Sequence, residues 1–162
     1  MLEGCNRHYG KAYFNARVVE KGQYGRGVKW TVTLAIAATG ERWCRVEEKA
    51  GTTAAEYVNF IEFVVGNIAL QEYDGVRTLL MDNLQAHVNP LVQQTILAAG
   101  QQIVYRPKYS PADAPIEYVF NTLQAELRIR MREVDGVNIV DHIRDIIANM
   151  NGFQNYFTFC GY

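Results

Sequence analysis

No aspartate occurs in the first 73 residues of this 162-residue chain. A site built from acidic groups would therefore have to find any partner in that stretch among its glutamates. Cysteine is sparse too: Cys5, Cys44 and Cys160 are widely spaced and odd in number. That argues against a disulfide framework and against the closely paired ligands of a zinc site, and it points to a reducing compartment. No uninterrupted apolar run approaches the roughly 20 residues of a membrane span, and no N-terminal stretch resembles a signal peptide. The expectation is a soluble intracellular protein with no membrane partner. Repeats, low-complexity segments and linkers are absent. The net charge of -1 gives no global reason to expect nucleic acid.

What is present suits one domain over residues 1–162, large enough to bury roughly 70% of its unfolded surface. Charge is uneven: residues 1–30 hold six Lys/Arg against Glu3 and Glu20, a local +4, while residues 31–100 are net acidic. Such a basic end is compatible with phosphate contact but is more often a solvated flank. Residues 1–27 show no lasting period and read as loop or weak strand. The β-formers Trp30-Thr31-Val32-Thr33-Leu34-Ala35-Ile36 and then Arg42-Trp43-Cys44-Arg45-Val46-Glu47, separated by Thr39-Gly40, predict an antiparallel hairpin. Thr52 or Thr53 can cap a helix whose Tyr57, Phe60, Ile61, Val64, Val65 and Ile68 share one face. A strand over 77–81 follows, then a helix over 90–99 stopped by Gly100 and a strand over 101–105 ended by Pro107. Helices over 115–132 and 138–150 come next, and an aromatic tail, 153–162, packs on the domain. This order predicts an α/β fold with a mixed sheet.

Two carboxylates stand in special settings. Asp82 follows the apolar run that ends at Met81, at a strand's carboxyl end, where ligands gather in α/β sheets. Glu117 sits in the first turn of the helix announced by Pro115. The 34 residues between them hold a helix, a strand and a loop, enough to bring the Glu-bearing helix back across the Asp-bearing strand. Converging there, they would hold a divalent cation for nuclease or phosphoryl-transfer chemistry. Taken singly, each acid reads more readily as a structural residue, Asp82 as a cap and Glu117 as a first-turn glutamate favoured by the helix dipole.

Asp82-Asn83…His87, then Tyr109-Ser110-Pro111 and Pro115-Ile116-Glu117 with Phe120, resemble the DDE catalytic domain of mariner-superfamily transposases. Arg7-His8-Tyr9-Gly10-Lys11-Ala12, Tyr24-Gly25-Arg26-Gly27 and Tyr156-Phe157…Cys160-Gly161-Tyr162 extend the resemblance over nearly the whole chain. It implies an RNase H-like mixed sheet flanked by helices. It also implies a two-metal site for Mg2+ or Mn2+, in which Asp82 and Glu117 are the second and third acidic ligands and Asn83 and His87 support them. DNA is the implied partner, with Arg106, Lys108 and Arg128 as candidate backbone contacts. A homodimer is allowed, and so is a nuclear location in a eukaryote.

The departures from that pattern carry expectations of their own. The family's first catalytic Asp ends the first, central strand, a few residues before the Arg-x-Tyr-Gly segment. Here Met1 stands six residues before Arg7, so both that strand and its Asp are expected to be missing, as is the helix-turn-helix DNA-binding domain. Strands around Val32 and Leu80 would then lack a partner, unless 12–19 fills in. Ala114 stands where Asn is usual, and Arg106 and Lys108 replace an apolar residue and a proline. The chain therefore reads as an N-terminally truncated, catalytically impaired transposase domain. The alternative is an unrelated α/β interaction module.

Overall fold

The structure, a computed structural model, describes residues 29–70, 75–107, 114–133 and 138–162, the side chains of 131–133 excepted. The β-branched run Thr31-Val32-Thr33 opens β1 (Thr31–Ile36), which pairs antiparallel with β2 (Arg42–Glu47), Thr31 opposite Glu47 and Ile36 opposite Arg42. Gly40 makes the turn at φ +105°, a backbone state open to glycine without a Cβ clash. Thr53 starts α1 (Ala54–Ala69) through a reciprocal box. Its hydroxyl accepts from the Glu56 N–H at 3.3 Å, and the Glu56 carboxylate accepts from the Thr53 N–H at 2.8 Å.

β3 (Thr78–Met81) pairs in parallel with β4 (Gln102–Tyr105). Parallel strands need a crossover, here α2 (Pro90–Ala98), capped by Asn89, whose side chain accepts from the Leu91 N–H at 2.9 Å. Three helices complete the described chain: α3 (Pro115–Glu133), α4 (Ile139–Asn149) and α5 (Phe153–Phe159). The aromatic tail thus forms a short helix, opened by Gly152 in the left-handed region (φ +79°). It packs on α3, with Tyr156 stacked on Tyr118 at 5.7 Å and Phe159 edge-on to Tyr118 at 5.4 Å. No described helix is long and apolar enough to cross a membrane.

The hairpin is the middle layer. Ala35, Ala37 and Trp43 face the apolar stripe of α1, which also covers Met81 of β3 and Val92 and Ile96 of α2. The alternate residues Val32, Leu34, Cys44 and Val46 face Leu123 of α3 and Ile143, Ile146 and Ile147 of α4. Arg42 fastens the hairpin to the end of α4, its Nη1 donating to the carbonyls of Ile147 (2.7 Å), Ala148 (2.8 Å) and Met150 (2.5 Å).

The four described strands form two separate two-stranded sheets. Arg77, just before β3, ion-pairs at 2.9 Å with Glu41, which directly precedes β2 at the turn end of the hairpin, where β1 also ends. At the other ends, Thr33 touches Thr52 beside the start of α1 (3.4 Å), and the Tyr57 hydroxyl in the first turns of α1 reaches the Met81 sulfur (3.8 Å). So β1 and β3 run in opposite senses under α1. Among the described residues no strand joins them; residues 1–28, the segment 12–19 among them, lie outside the described residues.

Candidate functional site

The site begins where β3 ends. The Arg106 N–H donates to the Met81 carbonyl at 2.8 Å, so strand pairing persists to the last residue of β3. Beyond it the Asn83 amide donates to the Arg106 carbonyl and ties the exits of the two strands together. Asp82 then turns the chain on itself, one carboxylate oxygen, Oδ1, accepting from the Leu84 N–H at 3.1 Å. Aspartate does this readily because its short side chain mimics a backbone turn. A single helical turn follows, in which the Leu84 carbonyl accepts from the N–H groups of His87 (2.9 Å) and Val88 (3.0 Å).

That turn brings His87 back onto Asp82. The ring Nδ1 lies 2.5 Å from Asp82 Oδ1, yet its approach is off the line that an N–H···O bond needs. The two groups are close neighbours held by their surroundings, with no aligned bond between them. The Asp82 side chain remains 47% exposed, and among the described residues its second oxygen makes no hydrogen bond. Behind His87 stands Tyr57 of α1, stacked face on at 4.3 Å with the planes 29° apart. The Tyr105 hydroxyl donates to the His87 carbonyl at 3.0 Å and accepts from the Gln93 amide at 3.1 Å. Burial, then the negative charge of Asp82, then Tyr105 push the Tyr57 phenol well above its ordinary range, so it stays neutral.

Glu117 is exposed in the first turn of α3, and its N–H donates to the carbonyl of buried Ala114 at 3.0 Å. The unpaired N–H groups of a helix start favour a carboxylate there. Asp82 and His87 are therefore brought together, and among the described residues no three His, Cys, Asp or Glu side chains gather closely enough to hold one metal ion. In kind, the donors suit Mg2+ or Mn2+, which take hard oxygen ligands and keep several waters.

Of the candidate DNA contacts, Arg106 follows β4 and is partly buried, Arg128 is exposed on α3, and Lys108 lies outside the described residues. Arg130, on the same helix as Arg128, is committed to an ion pair with Asp145 of α4. Sequence reasoning missed Tyr57, Tyr105 and Gln93. Tyr57 reads as one more member of the α1 stripe, and the only signal to the contrary is a hydroxyl among aliphatic neighbours.

The mixed α/β fold is that of RNase H-like transposase and integrase catalytic domains. The catalytic domain of Mos1 mariner transposase superposes with a TM-score of 0.55 at 17% identity, over 83% of this chain and 73% of that one. The Mos1 catalytic domain with raltegravir and Mn gives 0.54 at 18% identity, over 83% and 74%. A chain of the simian T-cell lymphotropic virus intasome, in complex with the PP2A regulatory subunit B56 gamma, gives 0.55 at 10% identity. It is covered over 73% of this chain, and this chain spans just under half of it, 46%. At such identities the likeness establishes the fold. No curated protein sequence matches. The pattern of the DDE superfamily endonuclease family matches residues 2–137, and the chain belongs to that family.

Proposed function

We propose that this chain is a transposase-type catalytic domain built for metal-dependent phosphoryl transfer on DNA, and that as it stands it cuts DNA weakly or not at all. The observation that carries the reading is Asp82. It sits at the carboxyl end of β3, half-exposed, with one oxygen accepting from the Leu84 N–H and His87 packed against it, while the other is left for a ligand. Asp82 and Glu117 are the acids that would hold Mg2+ or Mn2+. Such ions activate a water or hydroxyl and neutralise the leaving oxygen when bound. Asn83 and His87 support this corner, the first by tying β3 to β4 and the second by packing on the carboxylate. Arg128, with Arg106 and Lys108, lies on the segments that flank Glu117 in sequence and would contact phosphate oxygens. Impairment follows from ligand number: no third carboxylate joins the site among the described residues, and residues 1–73 hold no aspartate. Losing one ligand of a metal site usually removes most of its chemistry. No observation favours an unrelated interaction module.

The test pairs Mn2+ titration followed by electron paramagnetic resonance with a supercoiled-plasmid nicking assay. Weak Mn2+ binding is expected, reduced in Asp82→Asn and in Glu117→Gln, with little or no nicking. Mn2+-dependent nicking that disappears in Asp82→Ala would overturn the impairment. Equal Mn2+ binding in all three proteins would overturn the assignment of the two acids.

A further inference from the structure

We propose that Tyr57, a residue of α1 distant in sequence from both acids, is a positioning residue that fixes the Asp82 carboxylate by serving as the wall behind His87. The inference rests on the reading of Asp82 as a metal ligand, and it extends the site to an element which that reading does not use.

The contact between His87 and Asp82 is only 2.5 Å long but is not aligned as a hydrogen bond. Something other than bond direction must therefore hold the imidazole where it is. Two groups do so. The Tyr105 hydroxyl, itself held by Gln93, grips the backbone carbonyl of His87, which fixes where the residue sits but leaves χ1 and χ2 free. The Tyr57 ring lies over the imidazole face at 4.3 Å and 29°, and this fixes the plane of the ring. An offset stack of this kind adds an orientational preference to simple burial.

Tyr57 can act as a wall because its ring is buried and packed. It is 9% exposed, sits in the apolar stripe of α1 with Phe60 and Ile61, and lies within the first turns after a fully formed capping box. Among the described residues its hydroxyl reaches only the Met81 sulfur, at 3.8 Å, a weak acceptor. The hydroxyl is therefore not what the position requires. The ring is, and phenylalanine should replace it.

The chain of contacts then runs from α1 to His87, and from His87 to Asp82 Oδ1, whose other restraint is the single N–H of Leu84. Remove the wall and the imidazole can rotate. The carboxylate then keeps one partner and samples other rotamers, which weakens any ligand that needs it in one place.

The experiment uses the whole chain and two readouts. The first needs no metal: the ring protons of His87 in the wild-type protein should lie upfield of unstructured histidine, because they sit over an aromatic face. Ordinary shifts in the wild type would overturn the proposal without any variant. The second is Mn2+ affinity in Tyr57→Phe, Tyr57→Met and His87→Ala, alone and combined. Tyr57→Phe should keep both the upfield shift and the affinity. Tyr57→Met should lose the shift and weaken Mn2+ binding by about tenfold, the low end for a partner outside the ligands themselves. Combined with His87→Ala, Tyr57→Met should cost nothing further, since residues that act through one another are not additive. Independent, multiplying losses would overturn the proposal, as would a Tyr57→Met protein that keeps wild-type affinity. If instead the shift behaves as stated but Mn2+ binding ignores Asp82→Asn, the metal assignment of Asp82 fails while the wall stands.

Discussion

Replacing Arg42 with methionine should loosen the molecule at one identifiable seam. The Arg42 Nη1 serves the carbonyls of Ile147, Ala148 and Met150 at the end of α4, and its guanidinium carbon lies 5.0 Å from the centre of the Phe153 ring. The last turn of α4 holds no basic residue of its own, so this side chain, 105 residues away in sequence from the nearest of the three acceptors, supplies the positive charge that a helix C-terminus favours. Methionine keeps most of the stem and removes the charge and the donors. Hydrogen bonds to a charged donor contribute about 1.5–3 kcal/mol net. The helix-end charge adds about 0.3–1 kcal/mol and the cation over the ring about 0.5–1 kcal/mol. These terms overlap, and water can reach part of the gap, so the expected loss is about 3 kcal/mol in all. For a chain of this length that lowers the melting temperature by about 6–12 °C. Urea and thermal unfolding followed by circular dichroism would measure it. Arg42→Lys keeps the charge with one nitrogen and should recover about half of the loss. A loss in Arg42→Met below about 0.5 kcal/mol, the range of an ordinary surface change, would refute the view that this residue joins the hairpin to α4.

Two further predictions concern titration. The Glu56 carboxyl is held down to about 2 by Lys49 and by the N–H and hydroxyl of Thr53. A group whose folded value is depressed contributes fully above its unfolded value and loses that contribution as pH falls through the folded one. The stability gap between wild type and Glu56→Gln should therefore be constant near neutrality, begin to shrink below about pH 4.5 and close near pH 2; a gap independent of pH would refute it. Burial pushes the Cys44 thiol up to about 11, with Arg144 pulling weakly the other way. At pH 8, iodoacetamide should modify Cys44 about a hundredfold more slowly than an unstructured thiol, as measured by mass spectrometry of its peptide; comparable rates would refute the burial argument.

The local layout was readable because each element carries its own period and punctuation. Tyr57 to Ile68 repeats at helical spacing and is the buried face of α1. Asn89-Pro90 and Gly100 bracket α2, and Thr39-Gly40 turns the hairpin. The tail was read only as packed aromatics, because seven residues opened by Gly152 are too short for a helical period to stand out. Long-range facts left no local mark. Nothing in the sequence around Arg42 announces that α4 ends upon it, and nothing around Tyr57 announces His87. At the site, the proximity of His87 to Asp82 follows from one helical turn and could be anticipated from spacing. The position of Glu117 depends on how α3 is docked, which spacing does not determine.

β1 and β2 supply two interiors with one alternating pattern. Slide one strand by a single position and its side chains exchange faces. Thr31 and Thr33 would then be thrust among Leu123, Ile143 and Ile147, while Val32 and Leu34 turned toward α1. A misaligned pairing in this molecule fails twice, once on each side. No half-correct intermediate can shelter by satisfying one layer of helices at the expense of the other. The alignment of this short ribbon is therefore specified by both helical layers at once.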